Sequence, residues 1–219
     1  MTTSTVCFNM EELLKTGTTT VGIVCKDGIV LAADKRATAG PMIVDKRAEK
    51  VHQLNDDFAV TIAGNVSDAQ LLIKLMRAEL KLKEVRTNKR TSAKEAANLL
   101  GGLLYSNIRR PSMLMGIAHF LMAGRDVHGL HLYDLYPDGS VTRVKDYVSS
   151  GSGSVFAFGV LETQYNPDMS TSDGIKLAVK SVNTALQRDS ASGNGIDVIV
   201  VNDKEIKHVL QKEVETSLL

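Results

Sequence analysis

The apolar positions of the chain follow two spacings, one typical of strands and one typical of helices. β-branched and other apolar residues dominate 19–25, and an almost wholly apolar run fills 29–33. Between them, Asp27-Gly28 is typical of a tight hairpin turn with positive φ. Because 29–33 offers no polar face to solvent, we expect it to be buried on both sides, in a sheet that helices cover.

A second pair of short strands is predicted at 50–54 and 58–63, and two helices follow. Ser67 and Ser92 each begin a capping box, in which the serine hydroxyl and a Gln or Glu three residues later satisfy free backbone N–H groups. Apolar residues recur at helical spacing behind each serine. We therefore predict two adjacent helices. The basic run between them, at 86–90, is interpreted as a solvated loop, with a binding patch as the less favoured alternative.

The second half of the chain repeats this order of strands followed by helices. Ser170 is predicted to cap the longer helix. The predicted elements are strands at 115–123, 129–135, 141–148 and 196–201, and helices at 155–164 and 171–188, before a polar tail. This succession predicts an α+β fold with a layer of helices on each side of the sheet.

Composition limits the number of domains and excludes several classes of protein. A chain of 219 residues, 43% of them hydrophobic, suits one domain with a sizeable core, preceded by a short leader. The formal net charge of +1 argues against a nucleic-acid platform. No apolar run approaches the roughly 18 residues that span a bilayer, and the start lacks a secretory signal. Cys7 and Cys25 are too few for a disulfide framework and predict free thiols in a reducing cytoplasm.

Candidate chemistry lies at the threonines of 18–20, which follow Gly17. A threonine hydroxyl becomes a nucleophile when a base takes its proton, and the α-amine of an N-terminal threonine can be that base. Its unperturbed pKa is about 7.7 to 8.0, close to cellular pH. An internal threonine has no such amine, so this chemistry requires cleavage of the Gly17–Thr18 bond. Taken alone, the threonine run favours a simpler interpretation, the opening of a β-strand.

Several motifs, read together, resemble the archaeal-type proteasome β-subunit family of N-terminal-nucleophile hydrolases. Each is weak alone, but their order and spacing are specific, and they cover the chain from Thr16 to about Val201. The motifs are TGTTTVGI at 16–23, AADKR at 32–36, Lys50, IAG at 62–64, SGSGS at 150–154 and QRDSASG at 187–193. The resemblance implies a four-layer αββα sandwich, with a leader at 1–17 and one catalytic domain at 18–219.

The resemblance also implies the centre of a threonine protease. Thr18 matches the nucleophile, freed by autocatalytic cleavage after Gly17, and its amine matches the base, acting through a water. Lys50 matches a lysine that favours the alkoxide-like state by its charge, and Asp34 matches the acid that pairs with it. Gly64 matches the residue whose N–H forms the oxyanion hole. Without the resemblance, Asp34 and Lys50 could be a surface ion pair, and Gly64 could simply end a strand.

Three further residues match a network that orients the threonine amine. They are Ser152, Asp189 and Ser192. Without the resemblance, the glycine- and serine-rich loop around Ser152 would be read as flexible. An acid directly after a helix, such as Asp189, is mildly unfavourable for the helix dipole, which supports a functional role.

Substrate binding in this family resembles the addition of an extended peptide strand. The implied backbone positions are Thr38, Gly64 and Val66. The pocket for the residue before the cut is implied to be lined by Ala37, Ala48, Ile62 and Val66, with Lys50 at its edge. These side chains are small or apolar, which predicts cleavage after apolar residues. His52 lies near the expected pocket wall and is read as a packed or surface residue.

The resemblance implies an assembly of seven-membered rings, with two β rings between two α rings. The implied partners are α subunits, other β subunits, a regulatory ATPase outside the α ring and unfolded polypeptide substrates, in the cytoplasm. Neither nucleic acid nor membrane is expected, and the mechanism requires no metal or organic cofactor. Three alternatives stay open: a shorter bacterial two-ring relative, which the run at 188–193 disfavours; a non-catalytic structural subunit; and a latent precursor that keeps its leader.

Overall fold

The computed structural model describes residues 17–112 and 115–213. Apart from Gly17, the predicted leader therefore lies outside the described residues, and so does Cys7. No helix in the described part of the chain is long and apolar enough to cross a membrane.

Strands and helices alternate in blocks along the chain. The strands are β1 (Thr20–Cys25), β2 (Gly28–Asp34), β3 (Ala37–Ala39), β4 (Met42–Asp45), β5 (Val51–Gln53), β6 (Phe58–Gly64), β7 (Ala118–Asp126), β8 (Gly129–Leu135), β9 (Val141–Val144), β10 (Tyr147–Ser150), β11 (Gly195–Val201) and β12 (Ile206–Glu213). The helices are α1 (Val66–Thr87), α2 (Ala93–Ile108), α3 (Ser154–Gln164) and α4 (Thr171–Leu186).

Ten of these strands form two five-stranded antiparallel sheets. The first sheet has the order β10-β1-β2-β11-β12, and the second has the order β5-β6-β7-β8-β9. The short strands β3 and β4 pair with each other as a separate hairpin. Each of the two large sheets therefore has one face for the other sheet and one face for helices.

Three apolar clusters hold the layers together. Met76 and Phe120 belong to the cluster between α1, α2 and the second sheet. Val30 and Val182 belong to the cluster between α3, α4 and the first sheet, and Leu31 lies in the third cluster, between the two sheets. Burying a side chain of this size stabilises the fold by about 1.5 to 3 kcal/mol. Neighbours on β2 thus face opposite layers, which confirms both the predicted two-sided burial and the αββα sandwich.

The helix starts confirm two predicted caps and correct a third. Ser92 forms a full capping box, and the Ser170 side chain caps α4. Ser67 does not cap its helix, because α1 begins at Val66. The N-cap is Asn65, whose side chain accepts a hydrogen bond from the Ser67 backbone N–H at 3.2 Å. A pattern centred on serine missed an asparagine that performs the same function two residues earlier.

The segment predicted as one strand at 141–148 is two strands in different sheets. β9 ends at Val144 in the second sheet, and β10 begins at Tyr147 in the first. The predicted polar tail contains β12, which pairs with β11 at the edge of the first sheet. Edge strands are half-solvated, so their polar residues give little strand signal. The hairpin of β3 and β4 also escaped prediction, and all four residues of its strand β4 are exposed although three of them are apolar.

Two connections also differ from their predictions. Cys25 pairs with Gly28, so Lys26 and Asp27 form the first hairpin turn, and neither has positive φ. The Asp-Gly signal therefore located the hairpin but gave the wrong turn geometry. In the predicted loop at 86–90, α1 continues to Thr87, and Arg90 forms an ion pair with Asp57 at 3.0 Å.

Candidate active site

The predicted catalytic residues lie at strand ends on one end of the sandwich. Thr18 precedes β1, Asp34 is the last residue of β2, Lys50 directly precedes β5, and Gly64 is the last residue of β6. Because β1 and β2 are antiparallel, the start of one lies beside the end of the other. The same holds for β5 and β6 in the second sheet. Stacking of the sheets then brings these strand ends together.

Lys50 connects Thr18 and Asp34. Its Nζ donates a hydrogen bond to Thr18 Oγ1 at 2.9 Å and another to Asp34 Oδ1 at 2.7 Å. The side chains of Lys50 and Asp34 are only 4% and 0% exposed, so this is not the surface ion pair that the sequence left open. Charges taken out of water depend strongly on their partners. The ammonium group is thereby fixed beside the Thr18 hydroxyl.

The Asp34 carboxylate is held by backbone N–H groups on both oxygens. Its Oδ1 accepts from Thr19 N at 3.0 Å, and its Oδ2 accepts from Arg36 N at 3.0 Å and Gly193 N at 2.9 Å. These donors come from three separate segments of the chain. They fix the carboxylate so that Oδ1 also faces Lys50.

The pKa of Lys50 is lowered from its ordinary value of 10.5, and burial is the main cause. The charge and the hydrogen bond of Asp34 raise this pKa in part, Asp189 raises it further, and Arg36 lowers it. A lysine with a lowered pKa gives up its proton more readily than one in water. The lowered pKa thus belongs to the amine that contacts the Thr18 hydroxyl.

A second set of hydrogen bonds reaches the Thr18 nitrogen. Thr18 N donates to Ser152 Oγ at 3.3 Å. The hydroxyls of Ser152 and Ser192 donate to the same Asp189 oxygen, Oδ2, at 2.6 Å and 2.7 Å. Asp189 is the third residue after α4, and the chain turns back there, with the Asp189 N–H bonded to Ala185 O at 2.7 Å. The structure thus joins all three residues that were predicted to orient the amine.

Gly17 lies in a space that excludes a side chain. A Cβ at this position would be 1.8 Å from Ala191 Cβ, closer than any real contact. Gly17 N donates to Thr38 Oγ1 at 3.0 Å, and the Thr18 hydroxyl donates to Gly17 O at 2.6 Å. The carbonyl of the predicted cleavage site is therefore in direct contact with the predicted nucleophile.

Gly64 and Gly151 both have a backbone conformation that suits only glycine. Gly64 has φ +96°, and a Cβ there would meet Ile117 O at 2.5 Å. Gly151 has φ +91°, and a Cβ there would lie 2.0 Å from Thr18 O. Gly151 lets the Ser152 loop approach the Thr18 backbone. The close approach, and not flexibility, explains the glycine in this loop.

The predicted substrate-side residues surround the same strand ends. Ala37 and Ile62 are buried, Ala48 is half-buried, and Val66 is 38% exposed as the first residue of α1. Ile62 N donates to Lys50 O at 2.9 Å, which places it directly beside Lys50. The Thr38 side chain contacts the leader through its bond to Gly17, a contact that the sequence did not predict.

His52 lines a polar cavity of about 280 Å³ together with Arg77, Asp197 and His208. Burial lowers the pKa of His52, and its Nε2 has no hydrogen-bond partner among the described residues. Asp197 Oδ1 has none either, although His208 Nδ1 lies 3.5 Å away. Within 17–112 and 115–213, no group of three or more His, Cys, Asp or Glu could hold a metal ion.

Two residues of the site had no predicted role. Arg36 bonds Asn194 Oδ1 through Nε at 2.7 Å and Ser190 O through Nη1 at 2.8 Å, so it braces the loop after Asp189. The Thr19 hydroxyl lies 2.7 Å from Ser192 Oγ. Both residues stand inside motifs that carry the family resemblance, but only the fold shows what they contact.

Comparison with known proteins agrees with this geometry. The family described as "Proteasome subunit" matches residues 14–201. The chain belongs to the proteasome subunit family. It is 40% identical over 209 residues to a "Proteasome subunit beta" of Archaeoglobus fulgidus, which covers 95% of this chain and 96% of that one. It is 41% identical over 203 residues to the protein of the same description from Methanocaldococcus fervens, with 92% and 89% covered. The corresponding protein of Ferroglobus placidus is 41% identical over 202 residues, with 92% and 94% covered.

Membership in the proteasome subunit family confirms the recognised resemblance and the fold class. The family match begins at residue 14, within the predicted leader, and ends at Val201, the end of β11. It therefore spans every predicted site residue. It also supports a role in proteolysis for the chain.

Proposed function

We propose that the chain is the catalytic β subunit of a proteasome core particle, a threonine protease with Thr18 as its nucleophile. One observation carries the proposal. The Thr18 hydroxyl lies between Lys50 Nζ, at 2.9 Å, and the carbonyl oxygen of Gly17, at 2.6 Å. A hydroxyl in this position has a nearby amine that can take its proton and a nearby peptide carbonyl that it can attack. Residues 1–17 are proposed as the leader, and 18–219 as the catalytic domain.

Leader removal is proposed as an attack of Thr18 Oγ1 on the carbonyl carbon of Gly17. The hydroxyl proton passes to Lys50 in its neutral form, because the Thr18 nitrogen is still an amide and cannot act as a base. The Gly17–Thr18 C–N bond then breaks, the Thr18 nitrogen takes up a proton, and an ester is left on Oγ1. Hydrolysis of this ester by water releases the leader with a Gly17 carboxylate and restores the hydroxyl of Thr18.

Peptide hydrolysis is proposed to follow the same path with a different base. The α-amine that cleavage creates on Thr18 takes the hydroxyl proton through a water. Lys50, held by Asp34, stabilises the developing negative charge on Oγ1. The backbone N–H of Gly64 is proposed as the oxyanion hole. The positive φ of Gly64 explains why a glycine holds this position, because no other residue adopts that backbone without strain.

The amine must point correctly to act as a base, and three residues are proposed to orient it. Ser152 Oγ is the contact of the Thr18 nitrogen, and Asp189 holds Ser152 and Ser192 by their hydroxyl protons. Errors of about 1 Å in such positions can cost on the order of a hundredfold in rate. The network thus supports the base in the same way that Asp34 supports Lys50.

Substrates are proposed to be unfolded polypeptides that bind as an extended strand. Their backbone would pair with Thr38, Gly64 and Val66, and main-chain bonds would give affinity without strong sequence preference. The pocket before the cut is proposed to be lined by Ala37, Ala48, Ile62 and Val66. These apolar walls favour apolar side chains.

The particle is proposed to contain this chain in heptameric β rings, next to rings of α subunits. The relatives from Archaeoglobus, Methanocaldococcus and Ferroglobus, each described as "Proteasome subunit beta", support this assembly. A regulatory ATPase acting through the α ring is proposed to deliver substrates. The cytoplasmic location stays a prediction.

The decisive experiment compares Thr18→Ala and Thr18→Ser in assembled particles. Thr18→Ala should abolish both leader removal and peptide hydrolysis, because one hydroxyl serves both reactions. Thr18→Ser should keep part of both. The intact mass of the subunit shows whether the leader is still attached, and hydrolysis of a short fluorogenic apolar peptide measures activity. A Thr18→Ala particle that hydrolyses the peptide at the wild-type rate would refute the proposed function.

A further inference from the structure

We propose that Thr19 is a positioning residue for this reaction. Its buried hydroxyl fixes which groups donate and which accept in the hydrogen bonds that orient the Thr18 amine. The inference rests on the proposed function and extends it to a residue outside the predicted site. Thr19 is 0% exposed, and its backbone N–H and its hydroxyl reach two different parts of the centre. Its backbone N–H donates to Asp34 Oδ1 at 3.0 Å, and its hydroxyl lies 2.7 Å from Ser192 Oγ.

The direction of the bond between Thr19 and Ser192 follows from counting protons. A hydroxyl has one proton to donate. Ser192 donates its hydroxyl proton to Asp189 Oδ2 at 2.7 Å, because a carboxylate oxygen accepts. Ser192 Oγ can therefore only accept from Thr19, and the Thr19 hydroxyl is the donor.

The same count fixes the other arm of the network. The Ser152 proton is also donated to Asp189 Oδ2, at 2.6 Å, in preference to the weaker contact with Thr18 O at 3.5 Å. Ser152 Oγ therefore presents a lone pair to the Thr18 nitrogen, which is the donor at 3.3 Å. In one arm, Thr19 thus donates to Ser192, and Ser192 donates to Asp189 Oδ2. In the other arm, Thr18 donates to Ser152, and Ser152 donates to the same oxygen.

The Thr19 hydroxyl is closely enclosed by the loop at Gly153. A Cβ on Gly153 would lie 2.0 Å from Thr19 Oγ1 and 2.9 Å from Ala185 Cβ. Only glycine at 153 leaves room for the hydroxyl. Loss of the hydroxyl would leave Ser192 Oγ without its donor in a buried site, where hydrogen-bond chains strengthen one another.

The expected consequence is a change in the titration of the Thr18 amine. A weaker bond from Ser192 leaves the Asp189 charge less neutralised, and that charge then holds the proton of the amine more tightly. Since the amine acts as a base only when neutral, the acid limb of the pH profile should move to higher pH. The other charged groups around the centre are Lys50, Asp34 and Arg36, and none of them is substituted in this comparison.

The test uses Thr19→Val, which keeps the shape of the side chain and removes the hydroxyl, in assembled particles with the leader removed. Thr61→Val is the matched control, because Thr61 is equally buried and its Oγ1 has no partner in the described part of the chain. We expect Thr19→Val to lower kcat about tenfold, the factor for one buried hydrogen bond, with KM little changed and the acid limb at higher pH. Thr19→Ser should restore both values. In a Ser192→Ala background, Thr19→Val should have no further effect.

Two results would overturn the role of Thr19. One is a Thr19→Val particle with the kcat and pH profile of Thr61→Val. The other is a loss of activity that Thr19→Ser does not restore and that leaves the pH profile unchanged, since packing alone would explain it. If Thr19→Val does not assemble, the smaller Thr19→Ala is measured in the same way. An inactive Thr18→Ala beside a fully active Thr19→Val would refute this inference alone, whereas an active Thr18→Ala would refute the proposed function.

Discussion

Lys50 Nζ lies 2.9 Å from Thr18 Oγ1, although 32 positions separate the two residues along the chain. Thr18 leads into the first sheet, and Lys50 leads into the second. The contact therefore exists only where the two sheets stack. The apolar layer between the sheets, and not any local motif, sets the distance between the proposed nucleophile and its proposed proton exchanger.

Replacing Lys50 should remove activity without unfolding the subunit. Lys50→Ala is expected to lower peptide hydrolysis by about a hundredfold or more, the cost of losing one group that stabilises the transition state. Asp34 keeps its three backbone donors, so its charge is not left unsatisfied. Lys50→Arg should also be poor, since a planar guanidinium does not replace a compact ammonium.

Activity per assembled site and the unfolding temperature give the readout for Lys50. The control is Lys74→Ala, at an exposed lysine on α1, which should behave as the wild type. A Lys50→Ala particle with wild-type activity would show that the proposed activation is wrong.

Gly17→Ala should stop leader removal, although the methyl group that it adds takes no part in the reaction. Its Cβ would fall 1.8 Å from Ala191 Cβ and 3.1 Å from Ser152 Oγ, so the Gly17 carbonyl would have to leave Thr18 Oγ1. Intact-mass measurement should find the leader retained. Gly159→Ala, where a Cβ meets nothing within 4 Å, is the matched control. Normal processing of Gly17→Ala would contradict the described contact.

Leader removal should become faster as pH rises. Before cleavage the acceptor of the Thr18 proton is Lys50, whose pKa burial has lowered from 10.5. Its neutral fraction grows as pH rises through that lowered value, so the rate should rise over a range below the ordinary lysine titration. The rate of precursor loss is measured by mass spectrometry during assembly at several pH values. A rate that is flat, or that falls with pH while assembly is unchanged, would speak against Lys50 as the acceptor.

Local patterns predicted most elements, because a half-buried helix or strand needs apolar residues at its own regular spacing along the sequence. The two-sided burial of β2 and the caps at Ser92 and Ser170 are local properties, and all three are confirmed. The errors fall where local signals compete or vanish. Asn65 displaced Ser67 as a cap, and β12 lies at a half-solvated edge where a strand needs no apolar alternation.

The sequence by itself determined the residue types of the proposed centre: a threonine after a glycine, a lysine, two acids and glycine-rich turns, in an order that resembles one family. Residue types and their spacing along the chain carry that information directly. Only the tertiary structure decided which atoms meet. It placed Lys50 against Thr18 across two sheets, closed the space beside Gly17 with Ala191, and drew the Thr19 hydroxyl to Ser192. These contacts join segments distant in the chain, and their distances follow from packing in three dimensions, which no local pattern encodes.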